Sequence, residues 1–207
     1  MDINASIIDQ RLDGIVDANS DLLPPGKDPQ KKKSAAFVLL SAATALGIPL
    51  EEAAEYLTEG GGDAGVDVLY VGDVEDGEFQ VTLFQGKYKH KDLSGAAHFP
   101  ENGVKAAIQT IGTLFDPAKV LDMNDRLKPP IEEVRSLIRD GYIPVVKMVL
   151  CNNGDRWNDS AQKLIEAAGF SDSQVNWVHL NHNDIVRVLQ NQKSVDDSLP
   201  LRGEAVI

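Results

Sequence analysis

Five side chains in this 207-residue chain could act together: Glu59, Asp63, Asp67, Gln85 and Lys87. The last two stand in VTLFQGKY (81–88), an apolar run with β-branched and aromatic residues on both faces, which reads as a buried strand. Gln85 and Lys87 are two residues apart, so they project from the same face of that strand. An unpaired amide or ammonium in such a place is costly, and a metal–phosphate site would compensate for it. The three acids lie just upstream. Asp67 falls at the mouth of VDVLYVGD, the strand expected to form a hairpin with VTLFQGKY, which lets Asp67, Gln85 and Lys87 converge across the pair.

The glycines of TEGGGDAG (58–65) surround Asp63 and permit close approach of the backbone to a bulky polyanion. Carboxylates together with an amide oxygen are hard ligands, suited to Mg²⁺ or Mn²⁺ and wrong for zinc. Such an ion lowers the pKa of a bound water and stabilises the charge of a phosphodiester transition state. Lys87 would orient the attacking water or neutralise the phosphate.

The elements that must hold these residues follow from periodicity. Residues 2–20 carry Ile3, Ile7, Ile8, Leu12, Ile15 and Val16 at helical spacing, and LLPPGKDP (22–29) then breaks the chain. SAAFVLLSAATALG (34–47) predicts a buried helix closed by Gly47, and Pro49 opens a short helix, LEEAAEYL, whose Glu51, Glu52 and Glu55 read as a solvated face. GDVEDGE reads as the polar turn between the two hairpin strands. Helices are expected at 103–115, 129–141, 159–169 and 183–190, and strands at 143–151 and 173–180. A hairpin followed by alternating helices and strands implies an α/β fold with a mixed sheet flanked by helices. The tail SVDDSLPLRGEAVI looks like the start of another strand, so the chain reads as a piece of a longer protein.

Composition narrows the class. With 43% hydrophobic and 25% charged residues the chain reads as globular. One cysteine, Cys151, excludes an internal disulfide and, following the apolar VVKMVL, reads as a buried thiol in a reducing compartment. No apolar run approaches a membrane span and the acidic N-terminus is unlike a signal peptide, so the reading is a cytoplasmic protein. The net charge of −12 argues against a protein that coats nucleic acid but not against a nuclease, whose metal-binding carboxylates are themselves acidic. Lysines are grouped, Lys31 to Lys33 reading as a solvated helix start and Lys87, Lys89 and Lys91 lying beside the candidate site.

The stretch AFVLLSAATALGIPLEEAAEYLTEGGGDAGVDVLYV, followed by VTLFQGKY, resembles the metal site of the PD-(D/E)xK, or restriction-endonuclease-like, nucleases. The likeness is to the D…QxK branch, in which glutamine replaces the second acid. Within that superfamily the chain looks most like the N-terminal region of abortive phage infection (AIPR) proteins, over residues 36–90. The resemblance implies a restriction-endonuclease-like mixed sheet in a domain over 31–192, preceded by an N-terminal helix and Pro-rich linker (1–30) and followed by a further region from 193–207. It makes Asp67 the central metal ligand, places Gln85 where the second acid stands, makes Lys87 the catalytic lysine and leaves Glu59 or Asp63 to supply the additional acid. It implies Mg²⁺ or Mn²⁺ as cofactor, nucleic acid (DNA) as substrate and a role in phage defence. Separately, cutting both strands usually takes two sites, which a homodimer would supply. Two positions depart from the pattern: Ala64 replaces the first glycine of the usual pair, and Val38 stands after Phe37 where many relatives carry a glutamate.

Blander readings accompany these. Gln85 and Lys87 could be a sheet-end pair whose stems reach solvent, and Asp63 a turn-former. His90 and His98 fall in a mobile-looking loop near the site. His179 and His182 straddle a strand end without a metal-ligand cluster. Trp157 and Trp177 read as packing residues, and CNNGD (151–155) as a turn after a strand. The competing class is a non-catalytic module that keeps a nuclease-like fold to bind nucleic acid or a partner protein.

Overall fold

The computed structural model describes residues 2–26, 28–58, 65–93, 97–116, 118 and 123–196. Helix α1 (Ile3–Ala18) starts at Asp2, whose carboxylate accepts hydrogen bonds from the amides of Asn4 and Ala5. Ala5, Ile8, Leu12 and Ile15 form its buried stripe, whereas Ile3 and Ile7 face away and are exposed. Helix α2 (Pro29–Leu46) is capped by Asp28, begins with proline in its first turn, and ends on Gly47 in the left-handed conformation, φ 69°. Every residue from Ala35 to Thr44 is buried, because α2 lies between the sheet and other helices. Ser41 and Thr44 donate their hydroxyls to the carbonyls of Phe37 and Leu40, one turn back, and so cross this apolar layer without an unmet polar group. A short helix, α3 (Leu50–Glu55), comes next.

Strands β1 (Val68–Glu75) and β2 (Glu78–Lys87) form the expected hairpin. The polar GDVEDGE is not all turn. β1 continues to Glu75 through an irregularity between Val71 and Val74, and the reversal takes only Asp76 and Gly77, both at positive φ (51° and 85°). Asp-Gly tolerates that conformation, which matches the twist of the flanking strands. Helices α4 (Glu101–Phe115) and α5 (Lys128–Arg139) lead to β3 (Ile143–Asn152), then α6 (Asp159–Ala167), β4 (Val175–Leu180) and α7 (His182–Asp196). The helix α7 runs past residue 192, where the sequence placed the end of the domain.

The chain is α/β, with a four-stranded mixed sheet in the order β1-β2-β3-β4. β1 is antiparallel to β2; β2, β3 and β4 are parallel. Helices α1, α2 and α7 cover one face, burying Phe37, Leu40, Phe84 and Val149. Helices α4, α5 and α6 cover the other, over Leu83, Ile111, Ile131 and Leu150. β2 therefore has a helical layer on each side, which is why its sequence is apolar at consecutive positions. Each large side chain buried there contributes about 1.5–3 kcal/mol relative to exposure. Among the described residues no helix is long and apolar enough to cross a membrane.

Candidate active site

The site lies where β1 begins and β2 ends. Asp67 precedes β1, and its backbone is committed on both sides: its N–H donates to the Phe84 carbonyl (2.8 Å) and its C=O accepts from Thr58 (2.9 Å). Val68 pairs with Phe84, so extending the register by one places Asp67 opposite Gln85. Cross-strand partners share a face. The Asp67 Oδ2 accepts the Gly86 N–H at 2.7 Å, continuing the ladder by a side chain beyond the end of β1. One carboxylate oxygen is thus tied to the strand that carries Gln85 and Lys87.

Gly86 faces the other way, toward α2. A Cβ at this position would collide with Cγ2 of Val38, so glycine between Gln85 and Lys87 lets α2 lie against the strand. Val38, where the resemblance leads one to expect the glutamate of many nuclease relatives, is a packed, buried valine.

Gln85 is 2% exposed and turns toward α4. Its amide occupies a slot opened by two glycines: a Cβ at Gly65 would stand 3.1 Å from Nε2, and one at Gly103 would stand 3.3 Å from Oε1. The Oε1 is buried and has no hydrogen-bond partner among the described residues. Leaving such an acceptor unmet costs about 1–3 kcal/mol. Two residues on, Lys87 is exposed. It lines a cleft of about 240 Å³ at the carboxyl ends of the parallel strands, together with Lys89, His98, Asn152, Asn153 and Gly154.

Of the site residues read from the sequence, Asp67 stands opposite Gln85 across the hairpin and accepts from the N–H of Gly86, between Gln85 and Lys87. The residues lining the cleft of Lys87 include neither Asp67 nor Gln85. Glu59 and Asp63 lie outside the described residues. Among the described residues, no three His, Cys, Asp or Glu side chains gather in a way that could hold a metal ion. Asp67 and the orphaned Gln85 Oε1 are nevertheless hard oxygen donors on one face, and that pair suits Mg²⁺ or Mn²⁺.

Comparison with protein families, with curated proteins and with solved structures finds no match.

The chain beyond Lys87 is held more firmly than the sequence suggested. The Tyr88 hydroxyl donates to Asp9 on α1, and its ring packs on Phe37, with centroids 5.1 Å apart. Burial, then the charge and hydrogen bond of Asp9, push its phenol far above the ordinary tyrosine value. Lys33 spans Asp9 (2.8 Å) and Asp13 (2.7 Å) and is mostly buried, so it is not part of a solvated lysine run. His90 is no free loop residue: its Nε2 meets the Ser34 hydroxyl at 3.1 Å and its ring stands edge-on to Tyr88.

CNNGD is likewise more than a turn. β3 continues through Asn152, and both asparagines are buried. The Asn153 side chain accepts from the Lys89 N–H and donates to the Lys89 C=O, both at 2.8 Å, so it replaces a strand partner just past Lys87. The Nδ2 of Asn152 donates to the Asp155 carbonyl (3.1 Å), which leaves its Oδ1 to accept from the His179 Nε2 (2.8 Å). Burial lowers the pKa of that histidine, favouring the neutral ring. The side chain of His182 contacts Asp2 rather than a metal cluster. Trp157 is 5% exposed and donates to Gln162, as a packing residue does. Cys151 is buried, as expected from sequence, and burial, and after it the Asp67 charge, push its thiol up to about 12.

The asparagine clamp and the anchoring of His98 had no signature in the sequence. Asn153 finds Lys89 across 64 residues and His98 finds Arg156 across 58, and the only local hint was a polar pair at the end of an apolar strand.

Proposed function

We propose that this chain is a metal-dependent phosphodiesterase domain that hydrolyses nucleic acid, DNA in particular, in the cytoplasm, as an abortive-infection nuclease would. The observation that carries the reading is the buried Gln85 Oε1, without a hydrogen-bond partner among the described residues, opposite Asp67 and two residues before an exposed lysine at a strand end. Buried acceptors are normally satisfied, so one left open opposite a carboxylate supports a bound ion or water there. Asp67 and Gln85 would hold Mg²⁺ or Mn²⁺, which supplies an activated water and charge neutralisation when bound. Lys87 binds the phosphate from the solvent side and stabilises the charge that develops on its oxygens. The backbone of Asp67 and its bond to Gly86 hold the carboxylate in register with Gln85, and Asn153 holds the chain beyond Lys87.

A second reading, a nuclease-like module without catalysis, is favoured by one observation: the helix position that carries a glutamate in the family pattern is a buried Val38 against Gly86. Cleavage of plasmid and single-stranded DNA with Mg²⁺ or Mn²⁺ separates the two. Wild type should cut, and Asp67→Asn and Lys87→Met should each slow cutting by ~10²–10³-fold. Absence of cutting together with a silent metal titration would establish the non-catalytic module instead.

A further inference from the structure

We propose that His98 is a catalytic residue, the proton donor to the oxygen that leaves when the phosphodiester is cut; this rests on the nuclease reading. The Nδ1 of His98 lies 2.6 Å from the backbone carbonyl of Arg156. A carbonyl only accepts, so Nδ1 carries a hydrogen and the ring's exchangeable position is Nε2. The contact also fixes the ring's orientation. The backbone is fixed as well: residue 98 forms a parallel bridge with Asp155, the Asp155 N–H donates to the Ala97 carbonyl (3.0 Å), and the Phe99 N–H donates to the Asp155 carbonyl (3.0 Å). The close passage of these segments requires Gly154, where a Cβ would strike the Ala97 carbonyl.

His98 is exposed, and it lines the same cleft as Lys87. The cleft's inner wall is the Asn152–Asn153 clamp, so the lysine and the histidine face one preorganised space from two segments of the chain. Oxygen is a poor leaving group without a proton, and a ring held through Nδ1 with Nε2 toward substrate is the arrangement that supplies one. In the step, the water oxygen bonds to phosphorus and the bond from phosphorus to the sugar oxygen breaks. The donor is the imidazolium form of the ring, with hydrogens on both nitrogens. The electron pair stays on the sugar oxygen, which takes the Nε2 proton and leaves the neutral Nδ1–H ring, while the proton lost by the water passes to solvent and solvent reprotonates Nε2.

The test is cleavage of an ordinary DNA strand against strands with sulfur replacing the 3′ or the 5′ bridging oxygen at the scissile link, since a thiolate leaves without a proton. His98→Asn keeps a donor for the Arg156 carbonyl while removing Nε2. It should slow the oxygen substrate by ~10²-fold and one of the sulfur substrates by no more than about threefold. A companion readout without metal uses inorganic phosphate: it should move the ¹⁵N resonance of His98 Nε2 in wild type and leave Nδ1 in place. Equal slowing of oxygen and sulfur substrates, unchanged cutting by the variant, or an Nε2 resonance indifferent to phosphate would overturn the assignment of His98 and leave the nuclease reading standing. No cutting of any substrate by wild type, together with a silent metal titration, would overturn both.

Discussion

Two groupings of polar side chains, each with a lysine, flank β2, and they are built in opposite ways. Beside α1 and α2, Lys33 meets Asp9 and Asp13, Asp9 also receives the Tyr88 hydroxyl, and Ser34 meets His90. Hydrogen bonds and charges there are matched, and the grouping joins three segments of the chain. On the other face, Lys87 stands exposed and Gln85 is buried with an unmet oxygen. The same chemical types serve architecture where they are satisfied and leave chemical capacity where they are not. Satisfaction of buried polar groups is the default in folded proteins; of the exceptions among the described residues, Gln85 Oε1, Arg135 Nε and His182 Nδ1, the Gln85 oxygen is the one that stands opposite Asp67.

The two lysines give the sharpest contrast. Lys87→Met should slow DNA cleavage by ~10²–10³-fold while leaving the urea midpoint unchanged. Lys33→Met should leave cleavage within about twofold and lower stability by about 1–2 kcal/mol, because Asp9 loses a charged partner in a mostly buried setting. If the two swap roles, the distinction between the groupings collapses.

Gly86 joins the faces, and substituting it probes how closely they are coupled. Gly86→Ala should cost about 1–3 kcal/mol by forcing Val38 away from the strand. Adding Val38→Ala should recover part of that loss, a coupling readable in a double-mutant cycle. Additive losses would mean that α2 is free to shift.

A smaller effect separates Tyr88 from Gln85. Tyr88→Phe removes a hydroxyl that serves Asp9 and should destabilise by about 1 kcal/mol, whereas Gln85→Met removes an amide with an unmet oxygen and should be neutral or stabilising by up to about 1 kcal/mol, while abolishing metal-dependent cutting. Marked destabilisation by Gln85→Met, measured by urea unfolding, would make Gln85 an architectural residue.

The smallest effect is in acid. Partial burial raises the pKa of Asp9, but Lys33 and Tyr88 more than offset it and hold the carboxyl below its ordinary 3.8; the hydrogen bond from His182 does the same for Asp2. A carboxyl whose folded pKa is depressed contributes stability above the unfolded value, and that stability is lost as pH falls through the folded value. Urea midpoints should therefore decline between about pH 5 and about pH 3, and Asp9→Asn should flatten the decline. Lys33 behaves oppositely. Partial burial lowers its pKa, yet Asp13 and Asp9 hold it above 10.5, so its contribution is present below that value and lost as pH rises through the folded one.

Much of this was legible without coordinates. The hairpin, the element order, the buried α2 with its Gly47 stop, and the shared face of Gln85 and Lys87 all follow from a period of two or 3.6 residues and from turn chemistry. Reading GDVEDGE as all turn failed because polar residues are tolerated on a solvated strand end, and only Asp76 and Gly77 adopt positive φ. Taking Lys31 to Lys33 as one solvated run failed at Lys33, whose partners on α1 are 20 and 24 residues earlier in the chain.

The sequence by itself determined which residues could do chemistry and which face of the strand they share, because strand geometry depends only on spacing. Tertiary structure decided which polar atoms are satisfied. Asn153 pairs with Lys89 across 64 residues, Tyr88 with Asp9 across 79, and His98 with the Arg156 carbonyl across 58. A hydrogen bond depends on the angle and distance between two atoms, and no local pattern specifies that for segments so far apart.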